Sequence, residues 1–152
     1  MSTIITPAPA YQKPSGKLYL SVSQLNLVNN TLTLVELNSI YTGFTDGIED
    51  TTLHRITPGC AGFYFINGQA TFMNVVAAKN YEAAIRVSGV SWVSFCYGWA
   101  GGGTLFSVPV SSLVKLSATD YIELWVRSQS GDNTVDLSGV RYRTYLSVQR
   151  VR

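Results

Sequence analysis

From Leu18 onward the dominant hydrophobic period along the chain is two. Leu18, Leu20 and Val22 alternate with Tyr19, Ser21 and Ser23, and Leu32 and Leu34 alternate with Thr31, Thr33 and Val35. Tyr64, Ile66, Ala70 and Phe72 share one parity, interrupted at Gly68. Ile122, Leu124 and Val126 alternate with Tyr121, Glu123 and Trp125, and Tyr142, Thr144, Leu146 and Val148 with Arg141, Arg143, Tyr145 and Ser147. Successive side chains of a strand point to opposite faces, so this pattern predicts strands with one face in a core and one outside. Residues 74–87 are rich in Ala, which suits a helix. Tyr81, Ala83, Ile85 and Val87 nevertheless keep the period of two and predict a strand, with residues 77–80 fitting a turn before it.

Turn chemistry separates the runs. Val28-Asn29-Asn30 suits a tight hairpin, because Asn tolerates positive φ. Thr45-Asp46-Gly47, Pro58-Gly59, Ala61-Gly62, Ser88-Gly89 and Ser130-Gly131-Asp132 mark further reversals. Pro109 between Val108 and Val110 suits an edge strand or a strand start, since proline has no N–H for a ladder. The pattern predicts about eight to ten short strands and no long helix, an all-β antiparallel jelly-roll sandwich. The first 16 residues differ: Pro7, Pro9 and Pro14 fix φ at three positions and no amphipathic period runs through them. They are expected to form an extended arm, with residues 17–152 as a single jelly-roll domain.

Composition sharpens this picture at one point. Only 13% of the 152 residues are charged, against roughly a quarter in a typical soluble domain, while aromatics reach 12%. Such a surface needs covering. If Ile122, Leu124 and Val126 face the core, Tyr121 and Trp125 point away from it, and Tyr145 does so if Leu146 faces inward. Outward aromatics on a charge-poor chain predict self-association, with Tyr121, Trp125 and Tyr145 in the subunit interface. The net charge of +2 does not argue for nucleic acid. No apolar run is long enough for a helical membrane span. No compact apolar stretch precedes Lys13, so no signal peptide is expected and synthesis is expected in a host cytoplasm.

Catalytic chemistry is thin. His54 is the one histidine, and no local motif pairs it with Cys60 six residues on. Cys60 and Cys96 do not make a disulfide framework and are expected as small buried thiols; with a single His they also fall short of a zinc ligand set. Asp46, Glu49 and Asp50 crowd a Gly-containing segment and are the one Ca²⁺ candidate, although their spacing is not that of an EF-hand. Gly98-Trp99-Ala100-Gly101-Gly102-Gly103 lacks the Lys-Ser/Thr pair of a phosphate loop and reads as a strand connection. Trp99 at its tip, with Trp92 and Tyr97, forms a candidate ligand loop. Arg141, Arg143, Arg150 and Arg152 fall in the last 12 residues, where a polar strand face explains them as well as a polyanion patch. No cofactor is expected.

Several segments together resemble the trimeric jelly rolls related to the complement C1q and tumour-necrosis-factor heads. Pro58-Gly59-Cys60-Ala61-Gly62-Phe63-Tyr64-Phe65 is similar to the start of that family's long central strand. Val114-Lys115-Leu116-Ser117-Ala118-Thr119-Asp120-Tyr121-Ile122-Glu123-Leu124-Trp125-Val126 resembles its Gly-Asp turn followed by an alternating strand, with Thr119 where the family has Gly. Ser130-Gly131, Ser138-Gly139 and residues 141–151 resemble the last two strands. The resemblance covers residues 53–151, and its short, stalkless form resembles C1q-like heads in tailed-phage structural proteins. It implies a homotrimer around a three-fold axis.

The resulting expectation is a non-enzymatic virion protein, a trimer that decorates or cements a phage shell. Its partners would be itself and the major capsid protein or other virion subunits, with no nucleic acid and no membrane. Ile4, Ile5, Pro7, Pro9 and Tyr11 would anchor the arm on the shell. The alternative is a receptor- or glycan-binding tip of a tail fibre or spike, carried by Trp92, Tyr97 and Trp99.

Overall fold

A computed structural model describes residues 14–42 and 48–151. It is all-β, with twelve strands: β1 (Ser15–Tyr19), β2 (Thr33–Leu34), β3 (Ser39–Ile40), β4 (Glu49–Asp50), β5 (Arg55–Ile56), β6 (Gly62–Met73), β7 (Asn80–Val87), β8 (Ser91–Trp99), β9 (Leu105–Leu116), β10 (Ile122–Gln129), β11 (Asp136–Leu137) and β12 (Tyr145–Arg150). They form two antiparallel sheets. The first runs β9-β6-β12-β1-β3, with β11 following β12 along β6. The second runs β4-β5-β10-β7-β8, with β2 also on β10. Sequence neighbours such as β6 and β7 lie in different sheets, which is the crossing pattern of a jelly roll.

The core lies between the sheets and is made by the parity read from the sequence. Leu18, Leu20, Tyr64, Ile66, Ala70, Phe72, Leu146 and Val148 of the first sheet meet Tyr81, Ala83, Ile85, Ile122, Leu124 and Val126 of the second, all buried. Phe72, Tyr81 and Phe106 stack in a tilted series with centroids 5.0 and 5.8 Å apart, a favoured arrangement of aromatic quadrupoles. Gly68 does not interrupt β6, which is continuous through it. A Cβ there would stand 3.2 Å from Leu124 Cδ1, so the missing side chain is the space into which Leu124 packs.

Turns follow the expected residues. Ser88 and Gly89 both have positive φ, 50° and 66°, and Val90 N–H donates to Val87 O. This is a primed turn whose twist matches the β7–β8 hairpin. Residues 74–79 are the turn before β7, with Ala78 left-handed. Pro109 lies on β9, an edge strand of the first sheet, where its missing N–H breaks no ladder.

Some expectations are corrected. β1 ends at Tyr19 and leaves Val22 exposed. Near β2 the inward residues are Val35 and Leu37, while Leu34 opposes outward Trp125; two ladder residues are too few for alternation to fix the face. Asn29-Asn30 does turn the chain, but between sheets rather than within a hairpin. Leu27 N–H donates to Val135 O on one side, and Val35 N–H to Leu124 O on the other. Tyr142 lies in an exposed turn before β12. Ser15 and Gly16, placed in the arm over residues 1–16, pair with Gln149 and Val148 as part of β1. The rest of the arm, including Ile4, Ile5, Pro7, Pro9 and Tyr11, lies outside the described residues.

Candidate functional site

The catalytic candidates are committed to structure. His54 sits in the β4–β5 turn with φ 56°, and its Nδ1 faces Leu37 O at 3.0 Å. A carbonyl accepts only, so Nδ1 carries the proton and donates there. Cys60 and Cys96 are free and half-buried. Cys60 Sγ stands 3.2 Å from the Tyr64 hydroxyl, which donates to Cys60 O at 2.7 Å. Burial pushes the Tyr64 hydroxyl well above its usual range, so it is a fixed donor.

Of the Ca²⁺ candidates, Asp46 lies outside the described residues. Asp50 Oδ1 accepts the Thr52 and Leu53 N–H groups at 2.9 and 2.8 Å, and the Leu53 amide chiefly holds its carboxyl below the usual range. Glu49 Oε1 accepts Lys17 N–H at 3.1 Å. Among the described residues no three potential metal ligands converge. The C-terminal arginines do not form a patch either. Arg141 lies over the Tyr41 ring and donates to its hydroxyl, whereas Arg150 donates to Ala61 O; Arg152 lies outside the described residues. An open groove of about 450 Å³ runs beside the β7–β8 turn between Val87, Val93, Val114 and Asp120. Asp120 is occupied: Ser88 Oγ donates to it at 2.7 Å and Ser117 N–H at 2.7 Å, which hold its carboxyl below the usual range. Thr119, where the family has Gly, is not among the positive-φ residues, so this turn needs no glycine.

The two outer faces are the sites with chemistry. On the first sheet, β6 presents Phe63 and Phe65, and β9 presents Leu113 as the cross-strand partner of Phe65. Phe65 is 46% and Leu113 63% exposed. Tyr145 stands nearby on β12, with Lys17 Nζ over its ring at 4.1 Å. Asn67, Gln69, Ser107, Pro109, Ser111, Ser147 and Gln149 are among its other outward residues, Met73 and Leu105 continue it toward β11, and Lys17, Lys115 and Asp136 lie on it.

On the second sheet, Trp92, Phe95, Tyr97 and Trp99 share the outer side of edge strand β8. Trp92 meets Phe95 at 5.2 Å and Trp125 of β10 at 5.8 Å. Arg86 of β7 stacks on both indoles, at 4.9 and 5.1 Å, and Arg55 lies over Tyr121 at 4.3 Å. Trp125 Nε1 donates to Glu123.

Tyr121, Trp125 and Tyr145 therefore do not share a face. The first two are covered by their own chain on the second sheet, and Tyr145 lies on the first. Alternation separates inward from outward but does not say which sheet a strand joins. The sequence reading does not single out Phe63, Phe65 and Leu113 as a surface. The inward parity of Tyr64 and Ile66 was their signal, since it turns both phenylalanines out. Trp92, Tyr97 and Trp99 do come together, on a rigid strand rather than a loop, with Trp99 its last residue.

No family model and no curated protein matches this chain. Solved structures do. A tumour-necrosis-factor protein, Eiger of S. frugiperda, superposes with TM-score 0.66 at 9% identity, over 92% of this chain and 93% of that one. The globular domain of zebrafish complement 1qA gives 0.65 at 11% identity, over 93% and 98%. Murine APRIL gives 0.64 at 14% identity, over 92% and 100%. By fold, this chain is a jelly roll of the tumour-necrosis-factor and C1q type.

Proposed function

We propose that this protein is a non-enzymatic structural protein that works as a homotrimer, decorating and stabilising the shell of a virus particle. The outer face of the first sheet carries the reading. Phe63, Phe65 and Leu113 form an apolar face flanked by uncharged polar groups and by Lys115 opposite Phe63, and Tyr145 lies further along the same sheet with Lys17 folded onto its ring. Charge depletion and aromatic enrichment mark the core of a subunit interface. A closed three-fold ring covers such a face on every copy. A trimer then touches several shell subunits at once, and avidity replaces strong single contacts. The resemblance to C1q-like phage heads supports placing it on a virion. Pro14, the first described residue, accepts the Arg150 N–H at 3.0 Å, at the end of β12.

Light scattering after size exclusion, followed by co-sedimentation with purified shells, tests this reading. A species of about 50 kDa, three times the 16.6 kDa chain, that pellets with shells supports it. A monomer overturns the trimer, and a trimer that ignores shells overturns the decoration role. A second reading, a glycan-binding tip, draws on one observation: the exposed aromatic row of β8 lies on the opposite sheet from the apolar face.

A further inference from the structure

We propose that the outer face of the second sheet binds a neutral oligosaccharide, its rings laid over Phe95, Tyr97 and Trp99 along β8. The inference rests on the glycan-binding reading and deepens it by naming the class of ligand.

The first observation is the aromatic row. Tyr97 is 67%, Trp99 66% and Phe95 47% exposed. Alternate positions of one strand put the three side chains on one face, about 7 Å apart along it. The backbone beneath them is paired to β7 from Ser91 to Trp99. Phe95 leans on Trp92 at 5.2 Å, and Trp92 meets Trp125 at 5.8 Å. Rings on a paired strand are in place before any ligand arrives, which lowers the ordering cost of binding.

The second observation is the size of the patch and what borders it. The exposed parts of the three rings amount to roughly 300–450 Å² on the area scale of aromatic side chains. That is large enough to mark a functional surface, yet only about half of the roughly 800 Å² that each partner gives to a stable protein interface. Beyond the row the face turns polar: Glu82 and Asn80 of β7 stand in register with Tyr97 and Trp99, and Arg127 and Gln129 of β10 follow. A second copy of the chain needs more apolar area than this. A sugar ring does not: its C–H face covers one aromatic ring, and its rim of hydroxyls reaches the polar row one strand away, about 4.8 Å.

The third observation is the charge. Asp50, Arg55, Glu123 and Arg86 stand in register across β4, β5, β10 and β7 with alternating sign. Glu82 is in register with Arg127, whose Nε and Nη2 both reach Glu82 Oε2, at 2.7 and 2.6 Å. Three acids thus offset three arginines, and the face has no net charge to draw an ionic ligand of either sign. The polar row is matched within itself as well, Asn80 Nδ2 donating to Gln129 Oε1 at 3.0 Å. Arg127 directs two of its five N–H groups at Glu82 and its side chain is 32% exposed, so a neutralised donor remains for a hydroxyl. An uncharged ligand with one apolar face and a hydroxyl rim fits these groups.

The experiment is titration of the full chain with cellohexaose, chitohexaose and maltohexaose, and with oligogalacturonate as the acidic comparison, read by calorimetry and tryptophan fluorescence. Saturable binding of at least one neutral hexaose, unchanged by added salt, is expected. Trp99→Ala and Tyr97→Ala, both at exposed positions, should each weaken it about tenfold, with melting curves that match the unsubstituted protein. Preferential binding of oligogalacturonate that fades with salt overturns the neutral assignment alone. Binding of none of the four, or binding that both alanine variants leave intact, overturns the glycan reading itself. A fall in assembled mass on Trp99→Ala, measured by light scattering, makes the row a contact between copies and overturns both.

Discussion

Leu113→Asp places a carboxylate beside Phe65 on the first sheet's outer face. Leu113 lies on edge strand β9 opposite Phe65 and is 63% exposed in the single chain. Burying a whole leucine is worth about 1.5–3 kcal/mol, so covering the exposed fraction contributes about 1–2 kcal/mol per subunit on the same scale. Three copies in a ring then lose about 3–6 kcal/mol, a dissociation constant raised about 10²- to 10⁴-fold. The introduced carboxylate adds to this, since an unpaired buried charge is strongly unfavourable; Lys115, two residues along the same face, offsets part of it. The folded monomer should lose less than about 1 kcal/mol, the span of strand propensity. Light scattering across a dilution series reads the result: wild type near three chain masses, Leu113→Asp at one, with similar melting midpoints for the monomers. Val90→Asp, on the exposed β7–β8 turn, should leave the mass unchanged. A Leu113→Asp protein that stays trimeric at every dilution would refute the assignment of this face, whatever holds the trimer together.

Three further outcomes concern the fold. Gly139→Ala should be severe, because a Cβ there would collide with the backbone of Val22 and Ser23. Overpacking of about 3 kcal/mol lowers the melting temperature by about 6 °C or more; an unchanged melt would contradict the packing of residues 21–23 on this turn. Tyr64→Phe removes the buried donor to Cys60 O, costing about 1 kcal/mol and about 2–4 °C, readable by calorimetry. Asp120 has a carboxyl held low by Ser88 and Ser117. Its stabilisation is present above the ordinary carboxylate pKa and is lost as pH falls through the lower folded value. Asp120→Asn should thus flatten the decline of melting temperature below about pH 4, and an identical acid profile would remove Asp120 from the account.

The local half of this protein follows from the order of its residues alone. Period-two runs at Tyr64, Ile66 and Phe72, and at Ile122, Leu124 and Val126, name the inward residues, because a strand with one buried face has no other way to alternate. Ser88-Gly89 marked a reversal and Pro109 an edge strand or a strand start, because φ and a missing N–H are properties of single residues. The tertiary structure decided everything that depends on which strands become neighbours. Trp125 and Tyr145 look alike in sequence, each outward on an alternating strand, yet they lie on opposite sheets; β10 is paired by β7 and β12 by β1 and β6. The same pairing gathers Trp92, Trp125 and Arg86 from three strands, and Phe65 with Leu113 from two. Such meetings span tens of residues, and alternation carries no record of the partner. Where β2 has only two ladder residues, even the inward side was set by its neighbours, with Val35 and Leu37 taking the core in place of Leu32 and Leu34.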